Sequence, residues 1–104
     1  MRQIPALLAL LAVPALAASA TPAPHAVTIA NMAFGATPQG LRVGDTIEWV
    51  NNDILRHSAT ARDGGFDVTL PPKAHVRTVL RRAGEVKFYC RYHPGMTGAL
   101  TVAR

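Results

Sequence analysis

From Val27 onward the chain alternates apolar and polar residues two by two, and no stretch keeps the spacing that would let a helix bury one face. That restricts the fold to sheets. Val27 and Ile29 share one side of a strand, as do Ile47 and Trp49, then Phe66, Val68 and Leu70, then Val76, Thr78 and Leu80, then Val86, Phe88 and Cys90, and finally Leu100 and Val102. Turn-forming groups separate these runs: Gly44-Asp45, Asn51-Asn52-Asp53, Asp63-Gly64-Gly65, Pro71-Pro72 and Ala83-Gly84. The pattern predicts an all-β, Greek-key β-sandwich of about seven to eight strands. Trp49 has the parity of a core residue and is expected to serve packing.

Ahead of this region, Arg2 precedes an apolar run from Ile4 to Ala18, and Ala18-Ser19-Ala20 has the small-x-small form of a signal-peptidase site. About fifteen apolar residues interrupted by Pro5 and Pro14 fall short of the roughly 20 needed to span a bilayer. The expectation is a cleaved signal peptide over 1–20, a single domain over 21–104, periplasmic location and no stable membrane insertion. With no twin-arginine pair, export would proceed unfolded and any metal would be acquired outside. A domain this small benefits from a staple, yet the chain has one cysteine and so no internal disulfide. Net charge is +5 over the whole chain, which favours acidic partners. Basic residues are scattered, aromatic ones are few, and no recognition-helix or stacking motif appears, so nucleic acid is not an expected partner.

The lone cysteine sits in FYCRYHPGMTGALTV, where Cys90, His93 and Met96 stand three apart. Parity turns Cys90 toward the core at the end of its strand, and Pro94-Gly95 signals a turn before the next strand near Ala99. One metal class uses thiolate, imidazole and thioether together: copper bound by two histidines, a cysteine and a weak axial methionine. The second histidine is expected to be His57, which follows the strand of Trp49 and the Asn51-Asn52-Asp53 turn. His75 is out of phase with Val76, Thr78 and Leu80 and should face outward. His25 falls in a mobile lead-in. The competing readings are a buried inert thiol, a zinc site, which would want further thiolates or histidines, and a Cys/His hydrolase, for which the domain lacks room.

VTIANMAF, VGDTIEWVNND leading to His57, and YCRYHPGMTGALTV together resemble the cupredoxins, the small blue copper proteins, and within them the amicyanin and plastocyanin-like group. The resemblance implies that His57, Cys90, His93 and Met96 bind one copper ion. It also implies that His93 presents an edge to solvent among apolar neighbours including Leu55, Pro94 and Gly95, and that Met32 borders the same end. Three positions depart from the family pattern. Ser58 stands where relatives have asparagine, Arg91 where they have threonine or serine, and Tyr92 where amicyanin has proline. The first two should loosen the tie between ligand loops or have it remade by backbone groups.

The function expected is a monomeric periplasmic electron-transfer protein and not an enzyme. It would take single electrons from a donor such as a dehydrogenase and pass them to a c-type cytochrome or copper enzyme docking near His93. The alternative is a periplasmic copper carrier or scavenger.

Overall fold

Alternation becomes two facing sheets. The structure, a computed structural model, describes residues 2–5 and 22–104, so the expected leader over 1–20 lies for the most part outside the described residues. Nine strands form among them: β1 (His25–Ala30), β2 (Ala33–Phe34), β3 (Leu41–Arg42), β4 (Thr46–Asn51), β5 (His57–Ala61), β6 (Asp67–Leu70), β7 (His75–Val79), β8 (Gly84–Cys90) and β9 (His93–Ala103). One sheet has the order β2-β1-β4-β7 and the other β3-β9-β8-β5-β6. The count exceeds expectation because β2 and β3 have two residues each, too few to show a period. Pairing is parallel between β1 and β4 and between β3 and β9, and antiparallel elsewhere. Among the described residues no helix is long and apolar enough to cross a membrane.

Inward-facing residues of both sheets meet in one core. Trp49 and Phe88 are fully buried, with ring centroids 5.0 Å apart, and Phe34 lies edge-on to Phe88 at 4.8 Å. Each such side chain contributes about 1.5–3 kcal/mol through removal from water, and the tilted ring pairs add to that. Trp49 donates its indole Nε1–H to Thr78 Oγ1 at 3.0 Å, which satisfies its one polar atom. Gly98, opposite Phe88 in the β8–β9 register, has a steric reason to lack a side chain: a Cβ there would stand 2.3 Å from Phe88 Cζ. The ring lies across β9 where the glycine leaves space.

Two expectations fail here for identifiable reasons. His25 is no mobile lead-in; it opens β1, pairs with Ile47 of β4, and its Nε2 lies 3.6 Å from Asp45 Oδ2. Parallel pairing supplies the backbone hydrogen bonds that tie this segment down. The last strand begins at His93 rather than near Ala99. Cys90 pairs with His93 and Tyr89 with Thr97, so Pro94, Gly95 and Met96 have no partner across β8 and bulge from the ladder. Pro94, lacking an N–H, is tolerated there.

Candidate metal centre

β8 carries Val86, Phe88 and Cys90 inward in alternation, and Cys90 is fully buried at its end. Arg91 and Tyr92 make the turn, and β9 returns at once with His93 opposite Cys90. The bulge that follows exposes Pro94 and Gly95 and turns Met96 inward, leaving it 6% exposed. This is how a three-residue spacing on a sharp hairpin delivers thiol, imidazole and thioether to one end of the core.

The second imidazole arrives from the neighbouring strand. His57 opens β5, is fully buried, and its ring centroid lies 5.0 Å from that of His93, which is partly exposed. His57 Nδ1 stands 3.8 Å from Cys90 Sγ, and His93 Nδ1 stands 3.7 Å from the same sulfur. One donor atom from each of the three lies within 4.8 Å of the others. Metal bonds of about 2.0–2.1 Å to nitrogen and 2.3 Å to sulfur, opened to a near-trigonal angle, would separate those atoms by about 3.8 Å. The two nitrogen-to-sulfur separations therefore fit a single ion held among the three side chains. With Met96 beside it in sequence and buried, the donor chemistry fits copper better than zinc, which favours a closed tetrahedron of thiolates and imidazoles.

Asp53 decides which nitrogen of His57 is free. Its Oδ2 accepts from His57 Nε2 at 2.8 Å and from the Met32 amide at 3.0 Å, while Oδ1 accepts from the Asn31 amide at 2.8 Å. The Met32 amide, then the His57 side chain, hold the carboxyl below its usual range against desolvation. An ionised carboxylate only accepts, so Nε2 carries the proton and Nδ1 offers its lone pair toward Cys90. Asn31 and Met32 reach Asp53 by adopting positive φ, 51° and 61°. That contact brings Met32, a half-exposed residue, to the same end as His57, as the resemblance implied. Asn51, fully buried, positions Asp53 by accepting its amide at 2.9 Å, and its own Nδ2 donates to the carbonyls of Leu55 and Leu70.

The tie between ligand strands is remade rather than lost. Ser58 N–H donates to Cys90 Sγ at 3.3 Å, and the Arg91 amide donates to Ser58 Oγ at 2.8 Å. The Arg91 side chain lies across the outward face of β5 and β6, with Nε 2.9 Å from Asp67 Oδ1 and Nη2 3.1 Å from Thr69 Oγ1. Tyr92 is half-exposed beside two guanidinium groups, and Arg56 first, then Arg91, hold its phenol below the ordinary range.

The remaining histidines stay apart from the cluster: His75 is exposed on β7 with Nδ1 3.4 Å from Glu48, and His25 is at Asp45. Sequence reasoning missed Asp53 as more than a turn residue, although its place four residues before His57 was a usable signal. Thr60 and Asp67 carried no such signal.

No family model matches the chain. Over 57 residues it is 42% identical to the methylamine utilization protein MauL of Methylorubrum extorquens, a match covering 51% of this chain and 50% of that protein, so the chain spans about half the length of the curated relative it matches. Solved structures align over more of it. A methionine-to-alanine variant of amicyanin in its Cu(I) form superposes with a TM-score of 0.68 at 23% identity, over 82% of this chain and 87% of that one. Amicyanin from Paracoccus versutus gives 0.65 at 22% identity, over 76% and 80%. The fold is that of a cupredoxin. Its likeness to amicyanin is one of fold, and in this chain two histidines and a cysteine gather at the start of β5 and the β8–β9 turn.

Proposed function

We propose that this chain is a one-electron carrier that holds a single copper ion on His57, Cys90, His93 and Met96. The observation that carries the reading is the convergence of two imidazole Nδ1 atoms on one buried sulfur, with the opposite nitrogen of His57 locked on Asp53. A bound copper would supply the couple between Cu(I) and Cu(II). The residues supply the rest. Cys90 provides the thiolate, steadied by the Ser58 amide. His57 is the fixed, buried donor. Met96, buried, would offer a thioether as a further, weak donor. His93, partly exposed, gives the route by which an electron reaches a docked partner.

Half-exposed Met32, Leu55 and Tyr92 stand on the segments that carry or contact Asp53, His57 and His93, which supports a partner surface of mixed apolar and polar character. We place the protein in the periplasm on the strength of the leader-like segment over 1–20. The likeness to a methylamine utilization protein supports a place in amine oxidation, and with it we propose a dehydrogenase as donor and a c-type cytochrome or copper enzyme as acceptor. Buried, converging donors favour an electron carrier over a copper carrier, which would need an open site for handing on the metal. Reconstitution tests this directly. The metal-free protein titrated with Cu(II) should take up one equivalent and develop an intense thiolate-to-copper absorption, absent in Cys90→Ser. Uptake of zinc alone, with no coloured copper form, would overturn the assignment.

A further inference from the structure

The hydrogen bonds behind the cluster form a chain with one direction. Asp67, whose carboxyl is held low by Thr60 first and then Arg91, only accepts, so Thr60 donates its hydroxyl hydrogen to Asp67 Oδ1 at 2.8 Å. A hydroxyl has one hydrogen. At the 2.9 Å contact between Ser58 Oγ and Thr60 Oγ1, Thr60 must therefore accept and Ser58 donate. Ser58 Oγ, its hydrogen committed, accepts the Arg91 amide at 2.8 Å. Arg91 closes the circuit by donating Nε–H to the same Asp67 oxygen at 2.9 Å. The hydroxyls are desolvated, since Ser58 is fully buried and Thr60 is 8% exposed, so water does not scramble their orientation.

We propose that Thr60 and Asp67 are positioning residues for the Cys90 sulfur. By fixing which way the Ser58 hydroxyl points, they make it an acceptor for the peptide that follows Cys90. Ser58 then grips the cysteine at two points, its amide on Sγ and its oxygen on the next amide. No hydrogen bond joins Thr60 or Asp67 to His57, Cys90 or His93. The consequence for electron transfer rests on the copper reading above, whereas the direction of the chain does not.

The test therefore begins with metal-free protein. In Thr60→Val, which keeps the shape and removes the hydroxyl, exchange of the Arg91 amide should rise about three- to tenfold, the equivalent of one lost hydrogen bond. Thr60→Ser should restore protection. In the copper-loaded protein, Thr60→Val should shift the thiolate-to-copper band, because the amide that follows Cys90 loses its fixed acceptor. No charge changes, so added salt should not abolish the shift. Should Thr60→Val fail to fold, Asp67→Ala removes the chain's terminal acceptor from a half-exposed position and should give the same amide result. Unchanged Arg91 exchange in the variants that fold overturns the proposal. Faster Arg91 exchange with no coloured copper form in any variant, wild type included, supports the hydrogen-bond chain and sinks the copper reading instead.

Discussion

β4 and β5 follow one another in the chain and lie in opposite sheets, yet they are buried on different terms. β4 alternates, with Ile47, Trp49 and Asn51 inside and Thr46, Glu48 and Val50 partly open to solvent. All five residues of β5 are buried, although His57, Ser58 and Thr60 are polar. Its inner face meets the core through Ala59 and Ala61, and its outer face is closed by Arg91 reaching to Asp67 and Thr69. β4 is thus held mainly by apolar area, and β5 by hydrogen bonds that become costly when half-broken. No buried side-chain nitrogen or oxygen among the described residues lacks a partner, which is the condition β5 requires.

Trp49→Ala should cost about 3–5 kcal/mol, the largest effect expected, because it empties the centre of the β4 side of the core and strands the Thr78 hydroxyl. Denaturant unfolding of the metal-free protein reads it directly. Ser58→Ala should cost about 1–3 kcal/mol, since it removes little area but leaves the Arg91 amide and the Thr60 hydroxyl short of a partner. A cost as large as that of Trp49→Ala would erase the distinction between the two strands. One near zero would show that the β5 hydroxyls are freely hydrated.

The smallest effect is in pH. Thr60, then Arg91, lower the Asp67 carboxyl below 3.8 in the folded protein. A depressed folded value means that the contribution is complete above the unfolded value and is lost as pH falls through the folded one. The stability difference between wild type and Asp67→Ala should therefore stay constant near neutrality and shrink in acid below about pH 4. Growth of that difference on acidification would contradict the sign.

The same contrast explains what could be read before folding was known. β4 was legible because Ile47 and Trp49 alternate between clear turn signals, and Cys90, His93 and Met96 were legible because rare residue types stood three apart. His57 was recoverable from its place after the strand of Trp49 and the Asn51-Asn52-Asp53 turn, with His75 set aside by phase. In β5, HSATA has small and polar residues on both faces, so no period marks it as a strand. The hairpin turn was misplaced at Pro94-Gly95 because periodicity along one strand says nothing about register across to the next. Ser58 reads in sequence only as a departure from a family pattern, which leaves the tie either looser or remade by backbone groups. The Arg91 amide remakes it, while the Arg91 side chain adds an ion pair that no local signal announced.

The parallel contact of β3 with β9 bears on the time the chain needs to fold. Arg42 Nη2 donates to the Arg104 carbonyl from 62 residues away, whereas Ser58 and Cys90 meet across 32. Doubling a loop adds only about 0.6 kcal/mol of closure entropy, so the longer span scarcely alters stability. Its effect on rate is larger. Sandwiches built from such distant pairings fold in about milliseconds to seconds, because chain ends must find each other before any contact rewards them. His57 and Cys90 lie inside that span, so their meeting across 33 residues is also a distant pairing, whereas Cys90 and His93 meet across a local hairpin.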